Sequence, residues 1–395
     1  MIPIKIIFAE KFNILNKKKI YYWSPFLTEV ATIKAVINSA YSMKRYFKEY
    51  DTTIIDAAGE FEKKKDEIDN KKIGLKNLSK IKYISYLPTY GKLKSRFSYI
   101  VIFLLSFFSL KNILKKDKPD FLIIHLITSL PLLLFSLFNF ETKCILRISG
   151  YPQMNKIRIF FWKILLKKVF IVTCPTKTTY EYIKKLKICD DNKLKVLFDP
   201  ILIVNEINKK KKNKIEYENF ILSAGRLTKQ KNFSFLIDCF QDINFKFPDL
   251  KLLILGNGEQ KNFLEKKIQS LNLNGKIKIL PFQHNIFPYF HKSKCFLMTS
   301  LWEDPGFVIL ESAFCRSFII SSNFKHSSKE IIESNVAGLL YESQNKQDFN
   351  EKFNFFANMN KNEKLKYKRN ALIMSKNFTI FNHSKNLNKI LMNKF

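Results

Sequence analysis

At 395 residues the chain exceeds what one hydrophobic core usually supports, so two domains of ordinary size are expected. With 46% hydrophobic and 15% aromatic residues it is not a disordered chain, because such chains lack the apolar surface to offset ordering entropy. The formal charge of +34, from 68 Lys plus Arg against 34 Asp plus Glu, leaves three readings: a drift toward Lys with no specific partner, attraction to anionic lipid or a phosphorylated acceptor, or nucleic-acid binding.

In chain order, the first residues, MIPIKIIFAEKF, are too soon interrupted by charge for a signal peptide. The N-terminal part alternates between strand and helix patterns: residues 3–8 as strand, 30–46 as helix, 52–56 as strand, then a long amphipathic stretch before a strand at 121–125. Short apolar runs follow at 143–148 and 170–173. Two apolar stretches, 99–110 and 121–140, resemble membrane spans. The first falls short of the roughly 20 residues a span needs, and the second contains His125, Thr128, Ser129 and Pro131. A strand ending near His125, then a helix capped by Thr128 or Ser129 with Pro131 in its first turn, accounts for the second stretch. Both stretches are therefore expected in the core.

From 198 to 218 the pattern breaks into FDPILIVNEINKKKKNKIEYE, and the domain junction is placed there. A second alternating unit follows, with strands at 219–224, 250–255, 276–280, 295–299 and 318–321 and helices beginning near Asn232, Gln260, Ile286, Pro305 and Ser327. The expected fold is α/β, with two Rossmann-like doubly wound domains: an N-terminal domain over 1–205, a C-terminal domain over 206–376 and a terminal helix over 377–395. Such sheets bind ligands at the carboxyl ends of their strands, so function is expected in a cleft where those ends face each other.

Three segments carry candidate chemistry. In SLWEDPGFVILE, residues 300–311, Asp304 can cap a helix and Pro305 can open it, which presents the N–H groups of Gly306 and Phe307 to an anion. That helix is apolar nearly all round, so Glu311 is buried and requires either a protein donor or ligand hydroxyls. In ILSAGRLTKQKN, residues 221–232, Gly225 ends a strand and Arg226 and Lys231 enter the next helix, a pairing of planar fork and mobile point charge that suits a diphosphate. Gly256-Asn257-Gly258 reads as a turn that permits close backbone approach. In the N-terminal domain His125 at a strand end, and Ser149-Gly150 after the next strand, are further candidates; a His so flanked also fits a satisfied core residue.

Glu303 and Glu311, with seven residues between them, resemble the E-x7-E motif of family 4 of the GT-B-fold glycosyltransferases, and GRLTKQKN is similar to that family's GRL-xxx-K segment. The resemblance covers roughly residues 219–342, where SSNFKHSSKEII and NVAGLLY stand for the family's later elements. It implies a retaining transferase whose nucleotide-sugar donor lies in the C-terminal domain. Glu311 would hold ribose hydroxyls, Arg226 and Lys231 the diphosphate, the amides of Gly306 and Phe307 phosphate or sugar oxygens, and Glu303 with His125 the donor sugar. Two features depart from the family: residues 8–30 contain no Gly, which leaves Trp23, Ser24 and Pro25 as acceptor-side candidates, and Asp304-Pro305 stands where Gly-Phe is common.

No Asp-x-Asp stands at a strand end, and the six cysteines show no metal-ligand spacing, so neither metal nor cofactor is expected. The expected partners are a nucleotide-sugar donor, a lipid-linked or glycan acceptor and an anionic membrane surface, with no nucleic acid. The expected setting is cytoplasmic and peripheral to the inner membrane face, in surface polysaccharide or glycolipid assembly. The rival readings are a GT-B-fold epimerase or sugar-phosphate synthase, and a non-catalytic basic nucleic-acid or lipid-binding protein.

Overall fold

The computed structural model describes residues 17–28, 31–88, 92–303, 306–324, 328–332 and 335–393. Contacts divide the chain at Pro200: the residues before it, apart from Thr176–Thr178, form one unit with the chain from His383 onward, and Thr176–Thr178 with Ile201–Asn382 form the other.

The first unit holds a parallel sheet of β1 (Lys18–Trp23), β2 (Tyr50–Asp56), β3 (Gly74–Asn77), β4 (Phe121–Ile124), β5 (Lys143–Arg147), β6 (Ile171–Cys174) and β7 (Leu194–Val196), in the order β3-β2-β1-β4-β5-β6-β7. Its strands bury both faces by strict alternation. Tyr21, Trp23, Leu122 and Ile124 pack on one side. Ile20, Tyr22, Phe121 and Ile123 pack on the other, with Ile33, Val36 and Met43 of the helix Ala31–Tyr46. The strand order reverses between β1 and β4, where an open α/β sheet leaves a crevice at its carboxyl edge.

The second unit repeats the design with β8 (Phe220–Ala224), β9 (Lys251–Leu255), β10 (Ile277–Leu280), β11 (Phe296–Met298), β12 (Ile319–Ser322) and β13 (Leu339–Tyr341), ordered β10-β9-β8-β11-β12-β13 and parallel throughout. Its reversal lies between β8 and β11.

Several sequence expectations are corrected. The strand expected at 3–8 lies outside the described residues, and the first described strand, β1, occupies a segment read as loop. Its apolar stretch, Ile20–Trp23, is only four residues long and follows the exposed Lys17–Lys19 run, which imitates a loop. Trp23, considered for acceptor contact, is fully buried and its indole N–H donates to the Ile127 carbonyl at 3.1 Å. Thr128 occupies the cap position of the helix Ser129–Leu137 but makes no capping bond, since its backbone is already helical.

The stretch 99–110, expected in the core, lies within a 25-residue helix, Lys92–Lys116, of which only one face is buried. The segment read as irregular after residue 198 contains the helix Val204–Lys210, held by buried Ile207. At the junction, the Ile201 and Leu202 amides both donate to the Phe378 carbonyl, at 2.9 and 3.0 Å, which assigns them to the second unit. Leu387, Ile390 and Leu391 of the final helix, Ile380–Leu391, join the core of the first unit.

Candidate functional site

In the second unit the candidate residues gather on the loops that leave β8 and β11, the two strands flanking the reversal. The strand end before Glu303 is fixed by three hydroxyls: Ser223 donates to the Leu297 carbonyl at 2.6 Å, Tyr341 to Met298 at 3.2 Å and Ser322 to Ser300 at 2.6 Å. The two loops are then bound to each other. Thr299 Oγ1 donates to the Lys231 carbonyl at 2.8 Å, the Leu301 amide to the Gln230 carbonyl at 2.9 Å, and the Gln230 side chain to the Trp302 carbonyl at 2.8 Å. This ladder of one backbone and two side-chain bonds brings Lys231 Nζ and Glu303 Oε1 into an ion pair with both side chains largely buried, at 13% and 9% exposure. Sequence reading assigned Lys231 to the diphosphate and Glu303 to the sugar; the fold adds that each balances the other's charge.

The Gly-Asn-Gly turn after β9 serves the same scaffold. The Gly225 amide donates to the Leu255 carbonyl at 3.0 Å, Leu227 to Asn257 at 2.9 Å and Gln260 to Leu227 at 3.0 Å. A Cβ at Gly256 would lie 1.9 Å from the Gly225 carbonyl oxygen, and one at Gly258 2.3 Å from that of Leu227. Two backbones meet where no side chain fits. Arg226, next to this seam, is exposed, and its guanidinium has neither hydrogen bond nor ion pair among the described residues.

The helix expected from residue 304 begins at Phe307, with Gly306 at its cap in a left-handed conformation of φ 85°. Asp304 and Pro305, read as cap and first residue, lie outside the described residues. A Cβ on Gly306 would approach that of Glu303 to 3.2 Å, so the turn sets this helix end beside the ion pair. Glu311 lies within the helix Phe307–Phe314 at 7% exposure.

In the first unit His125 follows β4 and is buried; its amide donates to the Trp23 carbonyl at 2.9 Å. Its Nε2 has no hydrogen-bond partner among the described residues, and Tyr22 stacks on the ring at 6.3 Å. Burial, reinforced by the positive Arg147 and by His383, holds the imidazole well below its usual pKa of 6.5, so the ring is neutral. Ser149 Oγ donates to the His125 carbonyl at 3.3 Å, and Gly150 beside it faces open space.

Three polar constellations were not found by sequence reading. Arg147 is fully buried, pairs with Asp199 and donates to the Leu197 carbonyl. His383 bridges the Phe198 carbonyl (2.7 Å from Nδ1) and Ser39 Oγ (2.8 Å from Nε2). A carbonyl can only accept, so Nδ1 carries the proton and the neutral ring accepts from Ser39. Third, the buried Glu60 carboxyl accepts from the Ala57 and Ala58 amides at 3.0 and 2.7 Å; burial and neighbouring Asp56 push its pKa well above the usual carboxylate value. Only the D-A-A-G-E turn could have signalled it. The cysteines are inert packing groups: burial pushes the Cys315 thiol up to about 12 and that of Cys189 to about 11.

The sequence profile described as Glycosyl transferases group 1 matches residues 204–372. An uncharacterized glycosyltransferase of Methanocaldococcus jannaschii is 31% identical over 57% of this chain and 61% of its own length. The N-acetylgalactosamine-N,N'-diacetylbacillosaminyl-diphospho-undecaprenol 4-alpha-N-acetylgalactosaminyltransferase of Campylobacter jejuni is 29% identical over 62% of this chain and 68% of its own. Among solved structures, a glycosyltransferase from Rickettsia africae superposes with TM-score 0.75 at 18% identity, covering 96% of this chain and all of its own. An Anabaena protein in complex with UDP and glucose superposes with TM-score 0.70 at 15% identity, over 95% and 99% of the two chains. Residues 204–372 thus match the group 1 glycosyl transferases, and the two parallel sheets of seven and six strands give the chain the GT-B-like fold of these solved structures.

Proposed function

We propose that the chain moves a sugar, with retention of anomeric configuration, from a nucleoside-diphosphate carrier to a lipid-linked or polysaccharide acceptor at the cytoplasmic membrane face. The observation that carries this reading is the Lys231–Glu303 pair, held beside a helix start and exposed Arg226 at the switch point of the second sheet. Cleaving the sugar–diphosphate bond leaves negative charge on the phosphate oxygens and a positive anomeric carbon. Arg226, Lys231 and the amides of Gly306 and Phe307 meet the first, preorganised where charge develops. Glu303 holds donor-sugar hydroxyls and meets the second; Glu311 holds ribose. Neutral His125 can donate or accept a hydrogen bond through Nε2, the role assigned to it at the donor sugar.

The acceptor class is supported by the Campylobacter relative, whose name specifies an undecaprenol-linked acceptor, and by the basic composition. The same two points support the reading that glycan assembly takes place at the cytoplasmic membrane surface.

The test is transfer from a panel of labelled nucleotide sugars to undecaprenyl-linked acceptors in the presence of excess chelator. The chain should turn over one donor under these conditions. Arg226→Ala should lose two to three decades of rate, about 3–4 kcal/mol of barrier, and Arg226→Lys should recover only part because the bidentate fork is gone. Donor consumption without any acceptor, or activity that returns only with magnesium or manganese, would refute the reading.

A further inference from the structure

The helix Lys92–Lys116 and the helix Lys156–Leu165 present apolar surface that the first unit does not cover. On the longer helix Ser98, Ile102, Ser106, Leu110 and Leu114, four residues apart, face inward and are buried, and Ile102, Leu110 and Leu114 belong to the core of the unit. On its outer side Phe97, Ile100, Leu104, Leu105 and Phe108 are 57% to 70% exposed. The second helix buries no residue at all. Its Ile157, Phe160, Phe161 and Ile164, spaced three and four apart on one face, are 44% to 68% exposed. The helix Ser129–Leu137 packs against both, so the two stripes lie on neighbouring helices of one unit, with Leu137 exposed at 59% on the element between. So large an apolar surface on a folded chain marks a contact with something.

The charge pattern selects the occupant. Neither helix contains an acidic residue, whereas Arg96, Lys111, Lys115 and Lys116 flank the first stripe and Lys156, Arg158, Lys163, Lys167 and Lys168 surround the second. Aromatic and aliphatic side chains with a basic margin fit the boundary between headgroups and acyl chains of an anionic bilayer.

Length and composition alone would also admit a span, since residues Arg96–Lys116 have mean hydropathy 1.8. The inward face argues otherwise. Ile102, Leu110 and Leu114 would have to leave the core for the helix to cross a bilayer, whereas lying flat it inserts only the outer stripe and stays docked.

We infer that the first unit inserts these two helices, parallel to the bilayer plane, into an anionic membrane surface through the stripes centred on Leu104 and Phe108 and on Phe160 and Phe161. This deepens the membrane part of the proposed function, and it does not depend on the sugar-transfer chemistry.

The test is co-sedimentation of the full chain with phosphatidylcholine vesicles with and without phosphatidylglycerol, together with quenching of Trp162 by brominated lipid; Trp162 is half-buried between the exposed residues of the second helix. Wild type should bind the anionic vesicles and retain part of that binding in high salt, and its Trp162 signal should be quenched. The pairs Leu104→Glu with Phe108→Glu and Phe160→Glu with Phe161→Glu should each weaken binding about tenfold or more. Both pairs sit on exposed positions, so thermal melts should match wild type and transfer to a detergent-solubilised undecaprenyl-linked acceptor should persist. Vesicle binding that neither pair alters, an unquenched Trp162, or monomer–dimer equilibrium shifted by the same pairs without vesicle binding would overturn the inference. Loss of donor turnover in the wild type would instead count against the transferase reading alone.

Discussion

Glu303 and Glu311 lie on one short segment, yet their surroundings separate their work. Glu303 sits on the loop after β11 paired with Lys231, whereas Glu311 lies inside a helix that is buried nearly all round. Glu303→Gln should therefore remove most transfer and leave nucleoside-diphosphate affinity nearly intact, while Glu311→Gln should weaken that affinity directly; calorimetric titration of both variants decides it, and equal losses would end the division of roles. The ion pair also has a structural side. Lys231→Met leaves the Glu303 carboxylate buried without its cation, which costs about 3 kcal/mol, or roughly 6–12 °C in melting temperature for a unit of this size. Adding Glu303→Gln to Lys231→Met should restore much of the loss, because the uncompensated charge goes. Melts of the two single variants and the double variant measure that coupling.

At the scale of elements, the site depends on how closely the loops after β8 and β9 approach each other. The paired glycines there permit a backbone seam that carries Arg226 on its outer side. Gly256→Ala should disrupt this seam, since the new Cβ meets the Gly225 carbonyl oxygen at 1.9 Å and backbone cannot yield as a side-chain tip can. We expect a loss of at least about 2 kcal/mol in stability, and a fall in donor affinity larger than that of a surface variant such as Lys229→Ala. Gly275→Ala is the control: its Cβ would meet nothing within 4 Å, although its φ of 81° still carries backbone strain. Chemical denaturation of the three variants ranks them.

For the whole molecule, two buried neutral imidazoles make acid stability a readable property. Burial holds His383 at about 3 and His125 well below 6.5 in the folded state. Above pH 6.5 both rings are neutral whether folded or unfolded, and their ionisation contributes no slope. Below it the unfolded chain binds protons that the folded chain refuses, so stability falls as pH falls, by about 1.4 kcal/mol per pH unit for each ring, until the folded pKa is reached. Glu60, whose folded pKa is raised, gives a slope of opposite sign, so the imidazole contribution is read in a Glu60→Gln background: there, melting temperatures between pH 7.5 and 5.0 should be flat above 6.5 and decline below. His383→Gln should lower the stability at pH 7.5 by removing a buried bridge and should roughly halve the acid slope. A flat profile in that Glu60→Gln background would mean that these rings are not buried as described.

The doubly wound class, most of the strands and the E-x7-E and GRL segments were legible from sequence because both signals are local. Strands buried on two faces read as apolar runs, and motif residues keep fixed spacing along one loop. What the sequence could not convey depends on contacts between distant residues. β1 was read as a loop because its neighbours β2 and β4, rather than any alternation of its own, define it as a central strand. Lys231 and Glu303 are 72 residues apart, and only the ladder between their loops makes them a pair. The buried Arg147–Asp199 and His383–Ser39 contacts join segments that no periodicity relates. The helix Lys92–Lys116 shows the same division: its apolar composition was plain from the chain, but which residues face the core and which face outward was decided by the sheet it packs on.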